Sequence, residues 1–293
     1  MRPPKMLEKE SRKQPSNAGR ILATPRDVYA LTWIGHQYGI CLPQLQCLLG
    51  EQPGRGAEHE GWISEGAARA VVTRWKKAGW VQEDQLRVYE PFWVWLSPLG
   101  QRKVGLSYQH HDLSRTDLNR LPHLYAVNAI RLGVCERSEE WVSERQLIRE
   151  VLPQKGQMRL HRPDGEIREK SGRIIAIEAE LSEKKPEQLT SILLQLLRGE
   201  RYVRLLHEEG KEVACEQSDG YSSRYSQIWY FGPPSVRRLI CKVRLDLLKE
   251  RKITKPEALR IEVFWYPVAE GNDEKCEMQE KEEEVRRIKE MRM

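Results

Sequence analysis

Between Pro25 and Tyr38 the apolar residues Val28, Leu31, Trp33, Ile34 and Tyr38 recur at helical spacing. Thr24 is placed to cap this helix, Pro25 suits its first turn, and Gly39 is expected to stop it. Leu42, Leu45, Leu48 and Leu49 mark a second, shorter helix that Gly50 ends, and the Gly-rich stretch from Glu51 to Gly61 is a loop. Ser64 caps a third helix running to Ala78, with Gly79 at its C′ position. Val81 to Leu96 then reads as two strands around a turn, the second carrying the aromatic run Tyr89-Glu-Pro-Phe-Trp-Val-Trp95.

The pattern changes after residue 105. Residues 106–121 are polar and predict a linker. A helix over 122–138 opens at Pro122 and carries Leu124, Val127, Ile130, Leu132 and Val134; Ser143 opens another, SERQLIREVL. MRLHRPDGEI and RIIAIEAEL read as strands, the second as a buried central one. Pro186 to Leu197 is a helix, IWYFGPP a strand ending in a turn, Ser235 to Lys252 an amphipathic helix, and Leu259 to Tyr266 a final strand. Strands alternating with helices predict an α/β core with mixed pairing. The boundaries that follow are a disordered basic arm over 1–23, one domain over 24–105, the linker, a second domain over 122–268 and a charged tail over 269–293.

Composition narrows the class only modestly. The chain of 293 residues has a formal charge of +6, and residues 1–120 hold 17 Lys and Arg against 12 Asp and Glu, so most of the cationic excess lies in the N-terminal part of the chain. Six cysteines stand apart, without CxxC pairs or zinc-type spacing, which predicts reduced thiols and a cytoplasmic protein. No apolar run approaches the ~20 residues of a membrane span. No glycine-rich phosphate loop, dinucleotide fingerprint, Ser/His/Asp or Cys/His arrangement is present, which leaves those enzyme classes without support.

Three helices followed by a hairpin within about eighty residues is the layout of a winged helix-turn-helix, whose third helix reads DNA. In SEGAARAVVTRWKKAGWV, Ala68, Val71, Val72 and Trp75 form one stripe and should face the core. Arg69, Thr73 and Lys76 fall on the opposite stripe with Arg74 and Lys77 on its flanks, a cationic front that suits a major groove and its phosphates. His36, His110 and His111 have no partner at ligand spacing, and the tryptophans Trp33, Trp75, Trp80, Trp93 and Trp95 are expected in the core rather than stacked on bases.

A second chemistry sits in the other half. His161-Arg-Pro-Asp-Gly165 is followed by Glu178-Ala-Glu180, in which the two glutamates share one strand face while Asp164 lies at a strand end. Converging carboxylates from adjacent strands suit Mg²⁺, which activates water and clamps a phosphate. This resembles the PD-(D/E)XK nuclease fold, matched by Pro163, Asp164 and Glu178. Glu180 occupies the lysine position, so Lys184 or Lys185 becomes the candidate migrated cation and Glu144 a candidate additional acid. The resemblance implies Asp164 and Glu178 as metal ligands, and Asp164, Glu178, Glu180 and Lys184 as a degenerate catalytic set. The alternative is that Pro-Asp-Gly is an ordinary turn and Glu180 pairs with a neighbouring cation.

From about Pro25 to Tyr266 the chain also resembles the replication-relaxation family of plasmid and mobile-element proteins. The residues that carry this are the N-terminal pattern, HLYAVNAIRLGV, Trp141, Ser143, Glu144 and Arg145 of W-x-S-E-R, then RPDG and IEAELS-x-K. The expected fold is therefore α+β or α/β: a winged helix followed by a restriction-endonuclease-like α/β domain with a mixed sheet. The expected function is double-stranded-DNA binding in replication or maintenance of a mobile element, as a homodimer or with other proteins of that element and without a membrane. A metal-dependent endonuclease targeted by the winged helix and a transcriptional regulator are the alternatives.

Overall fold

The computed structural model describes residues 21–51, 61–134, 139–150, 161–198 and 225–266. Helix α1 (Pro25–His36) begins as the sequence demands, with Thr24 and Asp27 forming a reciprocal capping box behind Pro25. Its end differs from expectation. The helix stops at His36 and the left-handed residue is Tyr38 (φ 68°), not Gly39. Gly39 is needed for a different reason: a Cβ there would lie 2.9 Å from the Leu113 side chain and 3.3 Å from the Val94 carbonyl.

Strand β1 (Ile40–Cys41) leads directly into α2 (Leu42–Gly50), and then come α3 (Glu65–Lys77), β2 (Val81–Asp84) and β3 (Trp93–Leu96). These strands form an antiparallel sheet in the order β1-β3-β2, with Val81 opposite Leu96 and Ile40 opposite Val94. The α3 stripe is buried as expected, and Gly79 (φ 74°) closes the helix: its N–H reaches the Lys76 carbonyl and the Trp80 N–H that of Trp75. Because successive strand side chains point to opposite faces, Val94 and Leu96 join the helical core while Trp93 and Trp95 face the other way. That second face is covered by Cys41, Leu113 and Leu121, so the polar stretch 106–121 supplies two of its apolar contacts. Ser97 caps a further short helix, α4 (Pro98–Lys103).

Helix α5 (Leu121–Val134) packs against α2 and against the second sheet. Asn128 donates to the Gly39 carbonyl at 2.9 Å, and Gln44 donates to that of Tyr125 at 2.8 Å. The second sheet has five strands, β4 (Glu140–Ser143), β5 (Gly165–Arg168), β6 (Ile174–Ala179), β7 (Gln227–Gly232) and β8 (Ile261–Trp265), in that order. The first three run antiparallel; β7 is parallel to β6 and β8 to β7. Helix α6 (Glu144–Glu150) follows β4, α7 (Pro186–Arg198) follows β6, and α8 (Pro234–Lys249) with α9 (Lys255–Leu259) separates β7 from β8. Ile175, Ile177 and Ala179 face α5, whereas Ala176, Ile228 and Tyr230 face α7 and α8. The protein is thus a mixed α+β structure with one antiparallel and one mixed sheet, and a continuous apolar core links α1–α3 to the α5 face of the larger sheet. No helix among the described residues is long and apolar enough to cross a membrane.

The expected strand MRLHRPDGEI is shorter than predicted, and its first three residues lie outside those described, as do the arm, the tail and the end of the helix expected over 122–138. Strand β4 was not anticipated; its four residues run straight into α6, and Trp141-Val142-Ser143 read as the approach to that helix.

Candidate functional site

Two surfaces carry the chemistry foreseen in the sequence. The first is the exposed side of α3. Arg69, Thr73, Lys76 and Lys77 are exposed there, while Ala68, Val72 and Trp75 are buried behind them. Arg69 pairs with Glu65 at 2.6 Å and lies over the Phe92 ring, and Lys76 pairs with Glu83 on β2 at 2.6 Å. Exposed pairs of this kind contribute little, about 0–1 kcal/mol, and exchange readily for another anion. Arg74 is different. Its guanidinium binds the fully buried Asp27 carboxylate at 2.5 Å, an acid that also accepts from the Trp75 indole at 2.8 Å and from Thr24. Burial pushes the Asp27 carboxyl up, but the Arg74, Thr24 and Trp75 donors outweigh it and hold it below the ordinary value. Beside α3 the turn between β2 and β3 presents Val88 and Tyr89, each about three-quarters exposed at 76% and 75%.

The second surface is the strand end where β5 begins and β6 finishes. Asp164 directly precedes β5, Glu178 lies near the end of β6, and Glu180 follows it, still tied to β7 through its N–H to the Phe231 carbonyl. The antiparallel β5–β6 register places Gly165 opposite Ile177, which brings the Asp164 carboxylate to the end of β6: Oδ2 accepts from the Ala179 N–H at 2.8 Å. Its other oxygen meets His123 Nε2, in the first turn of α5, at 2.8 Å. Glu178 is buried and bonds His161 Nε2 at 2.7 Å. Glu180 pairs with Lys184, four residues on. Glu144 stands near Asp164 at the start of α6, where burial first and the Asp164 charge second push its carboxyl up.

The two histidines answer the two central carboxylates. Burial disfavours the His123 imidazolium, but the hydrogen bond and charge of Asp164 outweigh it and raise the group above its ordinary value. His161 behaves alike: burial opposes its charge, and Glu178 more than compensates. Burial also pushes the Glu178 carboxyl up, against the His161 charge and hydrogen bond that lower it. The Tyr230 hydroxyl on β7, opposite Glu178 in register, is buried without a hydrogen-bond partner, and burial pushes it well up.

Asp164, Glu178 and Glu144 were foreseen, and the strand end gathers them. His123 and His161 were not assigned a role; His161 stands three residues before Asp164, whereas nothing in the sequence distinguishes His123. As arranged, both Asp164 oxygens and one Glu178 oxygen are already engaged, and among the described residues no group of three or more His, Cys, Asp or Glu is set to hold a metal ion. Mg²⁺, which demands a near-ideal oxygen octahedron, does not fit these side chains unless the histidine bonds are given up, and no step is derived through it. No family model, curated protein or solved structure matches the chain.

Proposed function

We propose that the protein binds double-stranded DNA through α3, in replication or maintenance of a mobile element as the sequence resemblance implies. The observation that carries this is the order α1-β1-α2-α3-β2-β3 with sheet order β1-β3-β2, the arrangement of a winged helix, combined with Arg69, Thr73, Lys76 and Lys77 on the outward face of α3. Its hairpin turn would be the wing. Arg69 is the base-edge candidate and Lys76 and Lys77 the phosphate contacts, whereas Arg74 belongs to Asp27 and serves the fold.

The larger sheet supports a nuclease-like reading of the second half: an antiparallel β4-β5-β6 meander, a helical crossover and a parallel β7, with Asp164 and Glu178 at one strand end. The Lys184–Glu180 pair and the two histidine–carboxylate pairs favour a core kept for binding and structure over one that cleaves. Mg²⁺ belongs only to the cleaving alternative, which predicts metal-dependent nicking of supercoiled plasmid; none is expected. A regulator with the same α3 would in addition repress its own promoter.

The test is the salt dependence of affinity for duplex DNA. Neutralised phosphates release counterions with a slope of about −0.9 each, so Lys76→Ala with Lys77→Ala should shallow the log–log slope by roughly 2. Absence of binding at low salt, or an unchanged slope in the folded double variant, refutes the assignment.

A further inference from the structure

Positive charge gathers on helix α8. Between Arg237 and Lys255 the chain holds eight Lys and Arg against two Asp and Glu, a net charge equal to that of all 293 residues, with acidic stretches elsewhere offsetting the remaining excess. The helix buries Val236, Ile240, Val243 and Leu247 against the larger sheet. By helical spacing Arg238, Lys242, Leu245 and Lys249 fall on the opposite stripe, and all four are exposed. A rise of about 1.5 Å per residue spreads that row over about 16 Å. The flanking Arg237 is exposed as well, and so are Arg251 and Lys255 past the helix end.

The fold uses few of these charges. Arg244 donates to the Ile261 carbonyl at 2.8 Å and ties α8 to β8; Lys249 pairs with Asp246 at 3.8 Å and Lys252 with Glu250 at 3.1 Å. Arg237, Arg238, Lys242, Arg251 and Lys255 have no acidic partner among the described residues. Their placement works against the helix. Arg237 and Arg238 follow directly on the first turn, where the helix dipole favours acids; that turn has none, and no side chain caps it. Arg238 and Lys242 stand at the i, i+4 spacing at which like charges repel. In α3, by contrast, the cations gather in the last turn, where the dipole favours them, and Glu65 stands in the first. The α8 charges lower the helix's own stability, and an external anion is what would answer them.

Shape selects among anions. A single small anion needs donors that converge, and these side chains project from a convex helix. An anionic membrane asks for apolar anchors beside the cations, and the row offers Leu245 alone, 50% exposed. An extended acidic peptide would first have to be ordered along the row. A DNA duplex is already straight and stiff, with a phosphate charge every ~1.7 Å of its axis, and meets a straight row of cations without that cost. We propose that the α8 face is a duplex-DNA-binding surface separate from α3, holding the sugar–phosphate backbone through Arg237, Arg238, Lys242 and Lys249 without reading sequence. It does not depend on the assignment of α3, and the experiment separates the two.

The experiment uses the full chain in four forms: unaltered, Lys76→Ala with Lys77→Ala, Arg237→Ala with Arg238→Ala and Lys242→Ala, and all five substitutions together. Affinity for several duplexes of unrelated sequence is measured between about 50 and about 200 mM salt. Loss of three phosphate contacts on α8 should lower the log–log slope by roughly 2–3 and weaken binding roughly tenfold or more, by the same factor on every duplex. The three side chains are exposed and unpaired, so the melting temperature should not fall. Arg237→Gln with Lys242→Gln serves if the triple variant does not fold. A slope lowered by the α8 changes and not by the α3 changes keeps this surface and removes α3 as the reader. The reverse overturns the α8 assignment and leaves α3 in place; it is the result expected if acidic residues 270–284 of the same chain hold the α8 face. Weakening confined to one sequence overturns the backbone role. Absence of duplex binding at low salt overturns both surfaces, and binding to phosphatidylserine vesicles in its place would assign α8 to a membrane.

Discussion

Replacing Asp27 by Ala should destabilise the N-terminal half more than any change to the cations of α3. This carboxylate is fully buried and collects three contributions: the α1 capping box through Thr24, the Trp75 indole, and the Arg74 guanidinium. Losing the cap costs about 1 kcal/mol. Stranding the Trp75 N–H, whose side chain is fully enclosed, costs about 1–3 kcal/mol. The Arg74 pair adds no more than about 1 kcal/mol, since 35% of that side chain meets solvent and can rehydrate. The donors share one acid and their losses overlap, so about 3 kcal/mol is expected for Asp27→Ala. Asp27→Asn, which keeps an acceptor but not the charge, should cost about 1–2 kcal/mol, and Arg74→Leu about 1 kcal/mol or less. Urea unfolding at neutral pH, followed by tryptophan fluorescence, ranks the three. Because the Asp27 carboxyl is held below its ordinary 3.8, its contribution is present above that pH and is lost as pH falls through the lower folded value. Arg74→Leu costing as much as Asp27→Ala would refute the reasoning, for it would mean that the cation and not the buried acid organises the cluster.

Two further outcomes follow from other contacts. His36, held down to about 4 by burial and by the Arg131 and Arg145 charges, stays neutral in the folded protein while the unfolded chain takes up its proton near 6.5. Stability should therefore fall as pH drops from 6.5 toward 4; His36→Gln should flatten that fall by about 1–2 kcal/mol after allowance for partial exposure, and parallel curves for the two proteins would contradict this. At Gly165 a Cβ would come within 2.3 Å of the Trp141 ring, so Gly165→Ala should cost about 1–3 kcal/mol and shift the strand end that carries Asp164; an unchanged melting temperature would show that Trp141 gives way freely.

Much of the architecture was legible because it rests on long periodic segments. The α3 stripe, the β2–β3 hairpin, the apolar run of β6 and the leucines of α7 each declare a face by spacing alone. What escaped was short or served two neighbours. Strand β1 has two residues, too few to show an alternation, and exists because β3 offers Val94 and Trp93 as partners to Ile40 and Cys41. Strand β4 runs into α6 without a break, so its edge position was invisible until Gly165 left room for Trp141 beside it. Residues 106–121 look like a linker by polarity, yet Leu113 and Leu121 cover the β3 tryptophans. Scattered leucines among many polar residues carry no periodic signal.

The candidate site divides along the same line. Spacing within one strand foretold that Glu178 and Glu180 would be neighbours, and the Pro-Asp-Gly turn brought Asp164 to their end of the sheet. Spacing says nothing about which charges are already answered. Arg74 and Lys76 lie two residues apart on one helix, and in the sequence both read as free cations for DNA. The fold commits Arg74 to a fully buried acid 47 residues away, and leaves Lys76 on an exposed partner it can exchange. The acidic cluster obeys the same logic in reverse. Asp164 and Glu178 read as carboxylates in want of a cation, and the fold supplies His123 from α5 and His161 from the segment that leads into β5. An unmet charge on paper is a demand, and burial decides whether the chain or a ligand fulfils it.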